Sequence, residues 1–144
     1  MSPLTQINMN KIIILQGPPA CGKSYKAREL HNEDKNRVII CRDDIRNMRG
    51  DYWIPGQEEY ISKIEEFAIR TALEQGLTPI IDATNLNPKT IKKWEIIANE
   101  YNADIDYIKC IVPMEVAIER DVARGNKVGE AVIRNFYETY KDVL

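Results

Sequence analysis

The sequence has few cysteine and histidine residues and no long apolar run. It contains three cysteines, Cys21, Cys41 and Cys110, without a CxxC pair, and one histidine, His31. This combination argues against a disulfide framework or a zinc site. No apolar run approaches the roughly 20 residues that span a bilayer, and residues 1–10 are too polar for a signal peptide. We therefore expect a soluble protein without a membrane partner, cytoplasmic, or in the host cytoplasm if it is viral.

The sequence also lacks a large excess of charge of either sign. The 20 Lys and Arg residues and 22 Asp and Glu residues give a net charge of -2, so any contact with nucleic acid must come from a local cluster of arginines. The chain has 144 residues and is 44% hydrophobic, which suffices for one core. We expect a disordered tail over residues 1–10 and a single domain over residues 11–144.

What is present is an alternation of strand and helix patterns. Short apolar runs at 11–15, 38–41, 79–81 and 105–112 predict strands, and three-and-four spacing of apolar residues over 61–72 and 91–101 predicts helices between them. Gly76 is a stop signal, Asn87 and Pro88 form a helix start, and 130–140 predicts a last helix. This order indicates an α/β fold with a parallel sheet flanked by helices.

The strongest motif follows the first strand. It matches GxxxxGK[ST], the phosphate-binding P-loop, and consists of Gly17, Pro18, Pro19, Ala20, Cys21, Gly22, Lys23 and Ser24. The loop backbone would bind the phosphates of ATP, Lys23 would neutralise their charge, and the Ser24 hydroxyl would ligate Mg²⁺. The fold class is therefore that of P-loop NTPases, with ATP as phosphate donor and Mg²⁺ as cofactor.

A second group of polar residues follows the second strand. Ligands of a parallel sheet bind at the carboxyl ends of its strands, so Asp43 is a candidate general base for an acceptor hydroxyl. Arg46, three residues on, is a candidate ligand for an acceptor phosphate. The alternative is that Asp43 or Asp44 caps a helix and that Arg46 is solvated.

Asp82 ends the third strand and is a candidate magnesium-side carboxylate. Thr84 and Asn85, which follow it, either contact the acceptor or shape a turn. Tyr52 and Trp53 either stack on an acceptor base or pack within their loop.

Arg120 and Arg124 are one helical turn apart and precede Gly125. We expect a C-terminal lid whose two arginines contact the phosphates of ATP during transfer. The alternative is an ordinary helix end with cations near its carboxyl terminus.

Four strings in this order, GPPACGKS, CRDDIR, IIDATNLNP and ERDVARGNK, carry a resemblance to the kinase domain of bacteriophage polynucleotide kinase. The resemblance covers residues 11–144. It implies donor binding by Lys23 and Ser24, a general base at Asp43, acceptor-phosphate binding by Arg46, and donor-phosphate contacts by Arg120 and Arg124. Two departures stand out. Asp82 lies one residue earlier than the family aspartate, with Ala83 in its place, and the DxDGT string of the phosphatase domain is absent, so we expect no 3′-phosphatase activity.

The resemblance implies an ATP-dependent polynucleotide 5′-hydroxyl kinase. Its partners would be single-stranded or nicked 5′-ends of DNA or RNA, with a separate phosphatase or ligase as possible further partners. One alternative keeps the chemistry but changes the acceptor to a hydroxymethylated base in DNA, a nucleoside or a small metabolite. A second alternative is a non-catalytic ATP-binding module.

Overall fold

The computed structural model describes residues 10–144. Residues 1–9 of the predicted tail lie outside the described residues. Asn10, its last residue, is joined to the domain, because its side-chain amide donates to the Tyr101 carbonyl at 2.7 Å. Its own carbonyl accepts from the Asp104 N–H at 3.1 Å.

The centre of the fold is one four-stranded sheet in which every paired neighbour is parallel. Its strands are β1 (Lys11–Gln16), β2 (Arg37–Cys41), β3 (Thr78–Asp82) and β4 (Asp104–Lys109). The spatial order is β2-β3-β1-β4, so β1 is an inner strand. The predicted parallel α/β sheet is confirmed.

Six helices connect and follow the strands. They are α1 (Lys23–Glu33), α2 (Arg42–Arg49), α3 (Glu58–Glu74), α4 (Pro88–Glu100), α5 (Met114–Ala123) and α6 (Glu130–Thr139). The predicted start of α4 is confirmed, since the Asn87 side chain accepts from the Lys89 N–H and Pro88 is the first helical residue. Gly76, with φ +75°, follows the end of α3 as expected.

The alternation of side chains along β1 explains why that strand is almost wholly apolar. Ile12 and Ile14 pack on one face of the sheet against α3 and α4, where Ile61, Ile69, Trp94 and Ile97 are buried. Ile13 and Leu15 pack on the opposite face against Ala27 and Leu30 of α1. A strand covered on both faces needs apolar residues at consecutive positions.

The fourth strand is shorter than the 105–112 run predicted. Pairing with β1 ends at Gln16 and Lys109, because the chain of β1 turns into the P-loop there. One further bond, from the Cys110 N–H to the Gln16 carbonyl at 2.7 Å, holds the exit of β4. Among residues 10–144, no helix has the length and apolar character needed to cross a membrane.

Candidate active site

The P-loop wraps from the end of β1 to the first turn of α1. Gly17 leaves no room for a side chain, since a Cβ there would lie 2.1 Å from the Cys110 carbonyl oxygen. Ala20 and Gly22 adopt positive φ values of 63° and 105°, and α1 begins directly after them at Lys23, so the free N–H groups of its first turn lie at the end of the loop. This is the geometry by which a helix N-terminus binds phosphate.

Lys23 lies folded along the inside of this loop. Its ammonium donates to the carbonyls of Pro18 at 2.7 Å and Gly17 at 3.1 Å, and the residue is only 9% exposed. The charge is therefore held within the loop, where bound phosphate oxygens would meet it.

Ser24 and Asp82 are joined across the sheet edge. The Ser24 hydroxyl donates to the Asp82 carboxylate at 2.8 Å. Burial raises the pKa of Asp82, while the Ser24 hydrogen bond and the charge of Lys23 oppose the rise. Cys41, the register partner of Asp82 on β2, has its pKa raised to about 12, chiefly by burial and then by the Asp82 charge. It is a half-buried thiol of low reactivity.

The Ser24 and Asp82 oxygens fit the needs of a magnesium ion that also takes phosphate oxygens. Mg²⁺ binds hard oxygen ligands and keeps several waters, so one hydroxyl and one carboxylate suffice on the protein side. Among residues 10–144, no group of three or more His, Cys, Asp or Glu side chains could hold a metal by itself. Any ion here would accordingly depend on the nucleotide, whose negative charge it would help to neutralise.

Asp43 and Arg46 occupy the first two turns of α2 and contact each other. The Arg46 guanidinium donates to the Asp43 carboxylate at 2.7 Å. Arg46 also donates to both carboxylate oxygens of Glu58 at the start of α3, and the hydrogen bond from Arg46 lowers the pKa of Glu58. The sequence analysis missed Glu58, which lies 12 residues from Arg46 and is joined to it only by the packing of α3 on α2.

Arg42 extends this network toward the core. It donates to Glu65 at 2.9 Å, to Ser62 at 3.0 Å and to Glu58 at 3.2 Å. Glu65 is 2% exposed, and burial raises its pKa, an effect that the charge of Arg42 opposes. Asp44, the alternative to Asp43, is exposed.

The two residues of the predicted Thr-Asn pair have different places. Thr84 lines the cleft beside Asp82. The Asn85 side chain instead turns inward, where its amide donates to the carbonyls of Leu15, Ile81 and Ala83 and its oxygen accepts from the Trp94 indole at 2.9 Å. The expectation of Asn85 as an acceptor ligand is not supported by this geometry, because its donors and acceptor already have partners.

The candidate lid consists of α5, the turn at 124–129 and α6. Arg120 donates to the Cys21 carbonyl of the P-loop at 3.1 Å, and Arg124 lines the cleft. Asp121 between them is 1% exposed and accepts from Arg124, from Val128 at 3.1 Å and from Gly129 at 2.8 Å. Burial opposes ionisation of Asp121, but these hydrogen bonds keep its pKa lowered. The sequence analysis missed these hydrogen bonds to Asp121.

Tyr52, rather than Trp53, lies in the cleft. The Arg46 guanidinium carbon is 5.3 Å from the centroid of the Tyr52 ring. Burial raises the pKa of Tyr52, and the neighbouring charge of Asp43 adds to this rise. Trp53 is 58% exposed and lies outside the lining residues, so the structure does not bring it to the other predicted site residues.

Most of the predicted residues do converge on one cleft of about 380 Å³. Its charged and hydroxyl-bearing members come mainly from the P-loop, from the carboxyl ends of β2 and β3, and from the lid. They are Lys23, Ser24, Tyr25, Arg42, Asp43, Arg46, Tyr52, Asp82, Thr84 and Arg124. The arrangement puts a carboxylate and a guanidinium opposite a phosphate-binding loop, which suits transfer of a phosphoryl group to a hydroxyl beside an anion.

Comparison with known proteins agrees with this geometry. A family model described as an AAA domain matches residues 12–143. The L-seryl-tRNA(Sec) kinase of Methanococcus maripaludis is 32% identical over 133 residues, which are 90% of this chain and 52% of that enzyme. A protein of Autographa californica nuclear polyhedrosis virus, named as a bifunctional polynucleotide kinase/RNA ligase, is 28% identical over 88% of this chain and 20% of its own length.

Among solved structures, a chain of the Pnkp1/Rnl/Hen1 RNA repair complex superposes with a TM-score of 0.77 and 31% identity. The match covers 88% of this chain and 42% of that one. The chain thus spans about half, or less, of the length of these relatives.

Proposed function

The chain belongs to the AAA domain family and has the fold of the P-loop kinases. From that premise, we propose that it is an ATP-dependent kinase that transfers the γ-phosphate to the 5′-hydroxyl end of DNA or RNA. One observation carries this proposal: Asp43 and Arg46 lie side by side, 2.7 Å apart, in the same cleft as Lys23 and Ser24.

The donor half of the site is formed by the P-loop and the lid. ATP phosphates would bind the N–H groups at the start of α1, and Lys23 would leave the loop carbonyls for the β- and γ-oxygens. Ser24 and Asp82 would hold Mg²⁺, which neutralises phosphate charge. Arg124 in the cleft and Arg120 at the P-loop would stabilise the charge that develops on the transferred group.

The acceptor half is formed by α2. Asp43 would take the proton of the attacking hydroxyl, and Arg46 would bind an acceptor phosphate. The first phosphodiester of a polynucleotide lies one sugar away from the 5′-hydroxyl, so such an end presents a hydroxyl and an anion together. A free nucleoside, by contrast, offers nothing for Arg46 to bind.

Glu58 has a defined part in this proposal. It occupies two donors of Arg46, so it fixes the guanidinium beside Asp43. The acceptor phosphate would bind N–H groups of Arg46 that Glu58 leaves free, or it would compete with Glu58 for the Arg46 guanidinium.

A second candidate acceptor is the hydroxyl of a seryl group on transfer RNA. Its support is the 32% identity to a kinase of that name over 90% of this chain. The hydroxyl would again be activated by Asp43, but the anion for Arg46 would come from a more distant phosphate.

A panel of acceptors with γ-labelled ATP and Mg²⁺ tests these readings. The arms are a 5′-hydroxyl oligonucleotide, the same strand with a 5′-phosphate, a 5′-blocked strand with a hydroxymethylated base, a nucleoside and seryl-tRNA. We expect label only on the first arm. Label on another arm alone would reassign the acceptor, and ATP binding without label on any arm would favour a non-catalytic binding module.

A further inference from the structure

A second cavity opens beside the candidate active site and has no part in the chemistry above. Its volume is about 260 Å³, and it lies between α3, α4 and the loop after β3. Arg42 and Thr84 line both this side cavity and the active-site cleft, so the two spaces are neighbours.

One residue that lines the side cavity, Glu65, has a buried carboxylate oxygen without a partner. Glu65 is 2% exposed. Its Oε1 accepts from Arg42 at 2.9 Å, but its Oε2 has no hydrogen-bond partner. Leaving a buried carboxylate oxygen unpaired costs free energy, so a hydrogen-bond donor that enters the cavity would gain a strong acceptor.

The lining also carries an excess positive charge. Two cations, Arg42 and Lys93, face one carboxylate, Glu65. Arg42 is committed to Glu58, Glu65 and Ser62. Within residues 10–144, no salt bridge engages Lys93, whose ammonium lies 4.9 Å from the centroid of the Trp94 ring. Lys93 is thus the cation left for an anionic ligand.

From these features we infer that the side cavity binds a ribose-phosphate unit of an RNA acceptor, adjacent to the phosphate assigned to Arg46. The ribose 2′-hydroxyl would donate to Oε2 of Glu65, and the phosphate would pair with Lys93. A nucleobase offers N–H donors but no negative charge, and a DNA sugar offers the phosphate without the hydroxyl. The inference rests on the proposed function, because it extends the same acceptor strand.

The contact between the 2′-hydroxyl and Glu65 is best tested by changing the substrate, because replacing Glu65 would also leave Arg42 without one of its partners. The probes are 5′-hydroxyl DNA oligonucleotides that carry one ribonucleotide at position 1, 2, 3 or 4, with dissociation constants measured beside a non-hydrolysable ATP analogue. We expect one position to tighten binding roughly tenfold, the size of a hydrogen bond to a charged acceptor. A 2′-O-methyl group there, which cannot donate, should remove the gain.

The contact between Lys93 and the phosphate is tested by a substitution in the protein. Lys93→Gln should weaken binding of DNA and RNA strands and reduce the slope of log affinity against log salt by about 0.7, the contribution of one phosphate contact in a single strand. The matched control is Lys92→Gln, on the same helix but exposed, which should leave the slope unchanged.

Two results would overturn the inference in distinguishable ways. If DNA strands are bound and phosphorylated but no ribonucleotide position matters and Lys93→Gln keeps the wild-type slope, the side cavity is no acceptor subsite, and the proposed function stands. If no strand is bound or phosphorylated, both fail. A gain that survives 2′-O-methylation would also contradict the role given to Glu65.

Discussion

At the residue scale, the buried carboxylate of Asp82 lowers the stability of the folded chain when it is ionised. Its carboxylate is buried, and its pKa is raised mainly by that burial. Below the ordinary aspartate pKa of 3.8 the group is protonated in both folded and unfolded chains. As pH rises above that value the unfolded chain ionises first, so the folded state loses stability until the raised pKa is passed.

Asp82→Asn should therefore stabilise the protein and disable it. Without nucleotide or magnesium, we expect the variant to melt a few degrees above the wild type at neutral pH, since it removes a buried charge. The stability difference should shrink as pH falls toward 3.8. Thermal unfolding from pH 4 to pH 7 measures this, and a variant less stable than the wild type at neutral pH would contradict the account. Phosphoryl transfer should fall in the same variant.

Asn85 serves the fold, and its replacement should reveal this. Asn85→Ala leaves the Trp94 indole and the Leu15 carbonyl without their partner, both in the core. We expect a loss of about 2 kcal/mol in the free energy of unfolding, measured by urea denaturation. Thr84→Val is the control and should change stability little. Equal effects of the two substitutions would show that Asn85 has no special structural part.

Individual residues were predictable from the sequence where a local motif fixes them. The P-loop and Asp43 belong to short strings whose position after a strand is enough. Glu58 and Glu65 were missed because their partners, Arg46 and Arg42, lie 12 and 23 residues away. No local spacing encodes these pairs.

At the scale of elements, one buried carboxylate organises the candidate lid. Asp121 ties Arg124 of its own helix end to the backbone of Val128 and Gly129 before α6. The sequence analysis predicted a lid here from Arg120, Arg124 and the following Gly125, but it gave this stretch no internal hydrogen bonds. The structure instead shows a turn with three hydrogen bonds to a single side chain.

Asp121→Ala should release the lid. The loss of hydrogen bonds to a charged acceptor should cost about 2–3 kcal/mol, increase amide exchange over residues 124–129 and raise the KM for ATP, because Arg124 loses its orientation. Glu119→Ala, an exposed position on the same helix, is the control. Unchanged amide exchange in Asp121→Ala would contradict the claim that Asp121 holds the turn at 124–129.

Element boundaries followed from the sequence where a cap or a covering layer fixes them. Asn87 and Pro88 start α4 as predicted. The end of β4 was placed three residues too late, because the apolar run continues to Val112 while pairing stops at Lys109. The partner strand, not the run itself, sets that end.

At the scale of the whole molecule, strand order brings the site together. With β1 between β3 and β4, and β3 beside β2, the P-loop, Asp82 and Asp43 follow neighbouring carboxyl ends along one edge of the sheet. The candidate lid begins more than 70 residues further along the chain than Asp43, and its residues Arg124 and Val128 line the same cleft. Parallel topology was predictable from the alternation of strands and helices, but the placement of Tyr52 and Trp53 was not, because their loop has no repeating pattern.

The central claim is that Asp43 activates a 5′-hydroxyl of a polynucleotide in this cleft. The most direct measurement is label transfer from γ-labelled ATP to a 5′-hydroxyl oligonucleotide by wild type, Asp43→Asn and the neighbouring control Asp44→Asn. We predict that Asp43→Asn lowers kcat by about 100- to 10,000-fold, the range for a general base, while Asp44→Asn keeps near wild-type activity and the label is removed by a 5′-phosphatase. Transfer that is equal in all three proteins, or absent from the wild type with ATP binding intact, would contradict the account.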